Sequence, residues 1–346
     1  MEMKFFAVTA FSILLSFALS CQENEQPTAT SEPCDRTCLE GFVDQYLDAV
    51  TADDPSLVPF TENVRFTEDG VKLELGEGLW ASMSGKGTYK FYVPDVETQQ
   101  VAFMGTVREE SSDSEEGVPS AIALRLKIEN RKISEVEQIV VRDERAAKNI
   151  EKMGSPHPVY LEAIPPEERA SREDLIKTAN MYFFGLQLND GKGEYPFTDD
   201  CDRYENGTRA TNVPVKEGEK RPDPLTSSTY SSTWSCKEQF ESGLIHFVTR
   251  IRDRRFVAVD RERGIVFSFV FFDHAAGKTR TFETPDGRTV TAGPTQPWTW
   301  EIAELFKIEN GLIRRIEAIL QRCPYGMDSG WSTWEDGRSD KIQDIR

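Results

Sequence analysis

Apolar residues recur at helical spacing in two separate stretches, and each stretch is followed by a run of alternating strands. Leu39, Phe42, Val43, Tyr46, Leu47 and Val50 mark one face of a helix that stops before Asp53-Asp54-Pro55. Leu175, Ile176, Ala179, Tyr182, Phe183 and Leu186 mark a second helix, begun by Ser171 with Asp174 in capping position. After the first helix a helical turn fits around Trp80 within Gly76–Gly85. Tyr89–Val93, Val101–Val107, Ala121–Ile128 and Ile133–Arg142 then alternate as strands, with acidic Glu109–Gly117 a solvated connection. After the second helix, Cys236, Phe240, Leu244, Phe247, Val248 and Ile251 suit a helix, although Leu244–Arg250 also suits a strand. Phe256–Val259 pairs with Ile265–Phe272, Thr279–Thr291 is an added hairpin turning at Pro285-Asp286-Gly287, and Trp298–Ile308 and Leu312–Leu320 complete a sheet.

The two stretches are one unit written twice. VPFTENVRFTEDG (Val58–Gly70) aligns with YPFTDDCDRYENG (Tyr195–Gly207) at an offset of 137 residues, FYVPD (Phe91–Asp95) with FVAVD (Phe256–Asp260) at 165, and LKIENRKISEVEQIVVR (Leu126–Arg142) with FKIENGLIRRIEAILQR (Phe306–Arg322) at 180. The growing offset means that the second copy carries 43 extra residues, much of them in the polar loop Thr208–Ser232. Copies of 34–142 and 171–322 follow, joined by a Pro-rich linker over 143–170 that lacks regular structure, and a tail over 323–346 carries Trp331 and Trp334 packed back on the body.

The first twenty residues have Lys4 and an apolar run too short for a stable membrane span, which fits a signal peptide over 1–20. Its end, Phe17-Ala18-Leu19-Ser20-Cys21, resembles a bacterial lipobox. The expectation is an acylated Cys21, a disordered tether over 21–33, and a location on the periplasmic face of the outer membrane, held by the lipid alone. An ordinary cleaved signal with Cys21 incidental is the other possibility. Five cysteines remain for an oxidising compartment, and two disulfides are expected: Cys201 with Cys236, then Cys323 with Cys34 or Cys38. A net charge of −18 argues against a nucleic-acid partner, and the basic run Arg250–Arg255 is expected as a solvated edge. No Cys/His spacing supports a metal, and no glycine-rich phosphate loop or nucleophile motif supports a cofactor, so neither is expected.

Helix, helical turn and meandering strands, closing on a KIENG-type turn and an I-x-x-I-E-x-I strand, resemble the SnoaL-like branch of the nuclear-transport-factor-2-like superfamily. RDRRFVAVDRERGIVFSFVFFDH (Arg252–His274) is similar to a stretch in secreted bacterial members of unassigned function. The resemblance implies an α+β fold: two tandem cone-shaped domains, each a strongly curved antiparallel sheet wrapped around an N-terminal helix, with an apolar pocket inside. Members often dimerise through their sheets, which a tandem chain can do internally as a pseudo-dimer.

Candidate chemistry comes from differences between the copies. Trp298, Trp300, Ile302, Glu304, Phe306 and Ile308 share one strand face, so Glu304 stands among hydrophobes where the first copy has Leu124. Burial there fits a carboxylate for acid–base work, and pairing with an Arg is the structural alternative. Tyr182, 23 residues before Glu205, resembles the oxyanion-binding Tyr and base of ketosteroid isomerases, but the first copy nearly keeps the spacing with Tyr46 and Glu68, which favours a core Tyr and a turn-stabilising Glu. Asp202 and Tyr204 replace Arg65 and Thr67 and share a face, which makes them candidate pocket residues. His246 is the candidate for proton transfer, with a core histidine as its alternative. His274 equally suits a loop-facing role, and His157 belongs to the linker. Trp298, Trp300, Phe306 and Phe240 are the expected substrate contacts. The leading expectation is a cofactor-independent lyase, isomerase or dehydratase acting on a hydrophobic small molecule in the second domain, with the first domain a structural partner. A non-catalytic ligand-binding or envelope-scaffold lipoprotein is the alternative, and a hydrolase activating water with a buried carboxylate is the third.

Overall fold

The computed structural model describes residues 1–2 and 32–343. Cys21, residues 3–20 of the expected signal peptide and residues 22–31 of the expected tether lie outside the described residues. Among the described residues no helix is long and apolar enough to cross a membrane.

The first half runs α1 (Arg36–Thr51), β1 (Phe60–Glu68), β2 (Val71–Lys72), β3 (Met83–Asp95), β4 (Gln100–Ser111), β5 (Ser114–Glu129) and β6 (Lys132–Val141), followed by α2 (Glu144–Lys152) and α3 (Pro158–Leu161). The second runs α4 (Arg172–Leu188), β7 (Phe197–Glu205), β8 (Thr208–Arg209), α5 (Cys236–Glu241), β9 (Arg250–Asp260), β10 (Ile265–His274), β11 (Thr281–Glu283), β12 (Thr289–Thr291), β13 (Trp298–Glu309), β14 (Leu312–Cys323) and β15 (Ile342–Gln343). The sheets are ordered β2-β1-β6-β5-β4-β3 and β15-β9-β10-β13-β14-β7-β8. Apart from β15 the two orders are the same once equivalent strands are exchanged. The β11–β12 hairpin stands apart as the insertion, turning at Pro285–Gly287 as its sequence indicates.

The chain is thus α+β, with two tandem domains in which a curved sheet wraps its N-terminal helix. The buried face of α1, with Leu39, Val43, Tyr46 and Val50, packs against one sheet; that of α4, with Leu175, Ala179, Tyr182 and Phe183, packs against the other. Each sheet is mixed rather than antiparallel, because β1 lies parallel to β6 and β7 parallel to β14. The paired strands are separated in sequence by β2–β5 in one half and β8–β13 in the other, so neither pair is a hairpin.

A third core cluster, with Tyr89, Phe91, Ala123, Phe267, Phe269 and Leu305, joins the backs of the two sheets. Its rim contacts are reciprocal. Arg36 at the start of α1 donates to Asp260 at 2.7 and 2.9 Å, and the equivalent Arg172 at the start of α4 pairs with the equivalent Asp95. Residue i meeting j while j meets i is the geometry of a two-fold contact. The segments after β6 and β14 cross over in the same way. A Cβ on Gly207, in the β7–β8 turn, would lie 2.3 Å from Ile150 N, and one on the equivalent Gly70 would lie 2.7 Å from Asp328 O.

Several expectations are corrected. The linker is not without regular structure: Asp143 caps α2, which packs on the first sheet. The acidic connection is shorter than expected, since β4 and β5 run out to Ser111 and Ser114 and form a tight hairpin. The helix from Cys236 ends at Glu241, where Gly243 takes a positive φ of 65°. The basic run is buried, not solvated. Arg252 and Arg250 share Asp273 at 2.9 and 2.5 Å, Arg255 reaches Glu137 at 2.6 Å, and Arg254 is bonded by Asn180 and Gln187. The tail closes this edge, with β15 added parallel to β9 and Trp331 stacked on Arg65 and Arg125 of the first sheet. Cys201 and Cys236 are joined as expected, but Cys34 pairs with Cys38, and Cys323 is left as a buried thiol.

Candidate functional site

Inside the second cone, between α4 and the concave face of its sheet, lies a cavity of about 160 Å³. Tyr182 and Leu186 reach it from α4, Arg203 and Glu205 from β7, Phe272 and His274 from β10, Trp300, Ile302 and Glu304 from β13, and Ala318 and Leu320 from β14. The segment after α5 closes it with Ile245, Phe247 and Val248, and Tyr230 of the inserted loop completes the wall.

Glu304 is 3% exposed, and its Oε2 has no hydrogen-bond partner. Burial pushes its carboxyl up to about 8; the Arg203 guanidinium and the Tyr182 hydroxyl act in the opposite direction without overcoming it. Arg203, 4% exposed, donates to Gln239 Oε1 at 2.8 Å and to the Tyr182 hydroxyl oxygen at 3.4 Å, and its Nε lies 3.1 Å from Glu205 Oε1. Burial works to lower the Arg203 pKa, but the neighbouring Tyr182 and Glu205 hold it above the ordinary value. Burial, then the nearby Glu304, raise that of Tyr182. His274 is stacked on Trp298 at 3.9 Å between centroids, and its Nδ1 lies 3.1 Å from the Phe272 carbonyl oxygen. Burial lowers its pKa to about 4, so the ring is neutral at physiological pH.

The first cone shows what this arrangement replaces. Leu124 and Gln138 are cross-strand partners there, and at the equivalent register Glu304 faces Ala318. Gln138 fills its cone and is satisfied, accepting from the Tyr46 hydroxyl at 2.9 Å and donating to Glu68 at 3.0 Å. In the second copy the polar group has moved across the strand pair, and a small Ala318 leaves room beside it. Arg203 stands where the first copy has Phe66, which is buried. Trp80 packs edge-on to Tyr46, and Phe240 takes the corresponding place against Tyr182. In the first cone the amide of Gln138 is thus satisfied by Tyr46 and Glu68, and the second is left open around an unsatisfied carboxylic acid.

Residues 32–140 and 168–320 match the family described as Domain of unknown function (DUF8021), more than half of the chain. The chain belongs to this family. No curated protein matches it. Among solved structures it is similar to AclR, named as a candidate hydroxylase, from Streptomyces galilaeus (12% identity, covering 44% of this chain and 91% of that one, TM-score 0.26). It is also similar to a SnoaL-like family protein named as a candidate isomerase from Agrobacterium tumefaciens (19% identity, 30% and 97%, TM-score 0.22). A third is a nuclear-transport-factor-2-like protein from Anabaena variabilis (14% identity, 44% and 92%, TM-score 0.23).

In this DUF8021 chain the residues singled out from sequence divide into three groups. Glu304, Tyr182 and Trp300 line the cavity together. Phe306 and Phe240 lie behind Tyr182, at 5.3 Å between centroids in each case, and Trp298 lies beneath His274. Asp202, Tyr204 and His246 do not line it. Strand alternation turns Arg203 and Glu205 inward, so Asp202 and Tyr204 face out. Asp202 is held by Arg209 and Asn212 at 2.9 Å, and Tyr204 is stacked with Arg315 at 4.3 Å. His246 packs on Phe282 of the added hairpin. Arg203 and Ala318 are cavity residues that sequence reasoning passed over, and His274, for which a loop-facing role was equally expected, lines the cavity as well. Offsets of 137 and 180 single out Arg203 against Phe66 and Ala318 against Gln138, so the signal was present in the repeat. Among the described residues no cluster of His, Cys, Asp and Glu is arranged for a metal ion.

Proposed function

We propose that the second domain is a cofactor-independent lyase, isomerase or dehydratase acting on a hydrophobic small molecule. The observation that carries this reading is Glu304, a carboxyl group that lines the cavity among mostly apolar side chains and whose buried Oε2 has no hydrogen-bond partner. Poised near 8, it is mostly protonated at neutral pH yet close enough to ionise during turnover, which suits a general acid that returns as base. Tyr182, with Arg203 behind it, stabilises negative charge developing on the substrate oxygen. The first domain supports the second through the shared core. Incubating purified protein with mixtures of small apolar metabolites and following their masses and chromatographic retention, which separates isomers of equal mass, tests the reading. Wild type should consume a compound, and Glu304→Gln should lose at least about two orders of magnitude in rate, a typical contribution of one general acid. A compound retained but never converted would favour a binding protein, and cleavage into two products whose masses sum to the substrate plus one water would favour the hydrolase.

The proposal includes export and anchoring through a lipid on Cys21, with which the two disulfides are compatible. Membrane fractionation of Cys21→Ser against wild type tests it: the variant should be released, and retention of both would refute the anchor.

A further inference from the structure

The cavity's size and polarity define what can occupy it. About 160 Å³ is close to the space of a single six-membered ring, since an apolar cavity of about 150 Å³ in another protein takes up benzene. Trp300 and Phe272, cross-strand neighbours, offer flat apolar wall, and Ile302 and Val248 extend it. The polar groups stand at one end. Glu304 Oε2 is buried and unpartnered, and Tyr182 lies beside it. Arg203 is the only cation among the lining residues other than His274, which is neutral at this pH, and it already has Glu205 at 3.1 Å. An anionic ligand would add a third acid around one guanidinium. An uncharged oxygen instead finds the hydroxyls of Glu304 and Tyr182 ready to donate.

We propose that the cavity takes an uncharged single-ring carbonyl compound, its ring against Trp300 and Phe272 and its oxygen accepting from Glu304 and Tyr182. This ligand class rests on the reading that the cavity is the working site, but not on turnover. The first cone indicates which residue admits the ligand. Gln138 closes the equivalent space there by bonding Tyr46 and Glu68, and Ala318 is the residue that leaves it open. Ala318→Gln would rebuild that plug, with Tyr182 and Glu205 as its partners.

The test is a ligand-observed NMR titration of the purified protein with four probes: cyclohexanone, toluene, cyclohexanecarboxylate and the fused two-ring ketone 2-decalone. Cyclohexanone should bind saturably and at least about tenfold more tightly than each of the others, a margin that one good buried hydrogen bond supplies. Ala318→Gln should lose that binding by at least about the same factor, and Ala318→Val should weaken it less, with melting curves establishing that both variants are folded. Equal or tighter binding of the carboxylate or of 2-decalone would overturn the proposal. So would undiminished binding by folded Ala318→Gln or Ala318→Val, or no binding of cyclohexanone at all. Cyclohexanone binding in a protein that converts no substrate would contradict the proposed catalysis and keep this ligand class. Turnover of a charged or fused-ring substrate would do the reverse.

Discussion

Replacing Glu304 with Leu, the residue the first copy has at Leu124, should stabilise the protein, and by an amount that depends on pH. In the unfolded chain the carboxyl ionises near its ordinary 4.5; in the fold it does so at about 8. Between those values the folded protein keeps a proton that the unfolded chain has released, so stability falls as pH rises through the interval. At about 1.4 kcal/mol per pH unit, the loss is roughly 3 kcal/mol by pH 7 and on the order of 5 kcal/mol above pH 8. Glu304→Leu removes this loss, fills part of the cavity and leaves Arg203 with Glu205 and Gln239. Its advantage should therefore grow from about 1 kcal/mol near pH 5, where only an unsatisfied neutral group is removed, to about 3 kcal/mol or more at neutral pH. Glu304→Gln should flatten the pH dependence in the same way at nearly constant volume. Urea unfolding followed by tryptophan fluorescence, from about pH 5 to 8.5, measures both. A Glu304→Leu protein less stable than wild type at pH 7, or one whose stability runs parallel to wild type across the range, would refute the reasoning. It would mean that Glu304 is an ionised partner of Arg203. Leu124→Ala serves as contrast: in a filled core it should cost about 2–5 kcal/mol with no added pH dependence.

Three further outcomes follow from the geometry. His274, held down to about 4 by burial, should stay neutral in NMR titrations until well below pH 6; stability then falls as pH drops from its ordinary value toward 4, and a midpoint near 6.5 would contradict its placement. Gly207→Ala meets both a positive φ of 69° and Ile150 N at 2.3 Å, whereas Gly311→Ala meets a similar φ of 74° in open space. The first should cost well over the roughly 1 kcal/mol expected for the second, and equal melting temperatures would show that the crossing segment does not pack there. Removing the Cys201–Cys236 disulfide, which closes a separation of 35 residues, by a double Ser substitution should cost about 3–4 kcal/mol in chemical unfolding; an unchanged midpoint would argue against the bond.

Much of the fold was legible because the chain states it twice. The N-terminal helix of each copy, the strand succession, the added hairpin and its turn, and the Cys201–Cys236 bond all came from periodicity and from comparing the copies. What stayed hidden was set by contacts distant in sequence. Four arginines in six residues look like solvated surface, and only Asp273, Glu137 and the tail returning as β15 make their burial affordable. The pairing of Cys34 with Cys38 is local, but nothing in the spacing favours it over Cys323. In the site, Glu304 was legible because one alternating strand places it among aromatics. Asp202 and Tyr204 were taken for the inner face of β7, although the equivalent Phe66 of the first copy, a buried hydrophobe, marks the inner face and points to Arg203. His246 looks like a pocket residue because it stands in an apolar segment of the second copy, but its ring packs on Phe282 of the added hairpin while the next residue, Phe247, lines the cavity.

The central claim is that Glu304 is a neutral, unsatisfied acid at the heart of the second cone. A carbon-13 NMR titration of the side-chain carboxyls, with Glu304→Gln identifying the signal, measures it directly. A midpoint near 8 is predicted, with the signal shifting when a ring carbonyl compound is added. A midpoint at or below 4.5, unmoved by any such compound, would make Glu304 a structural partner of Arg203 and contradict the account.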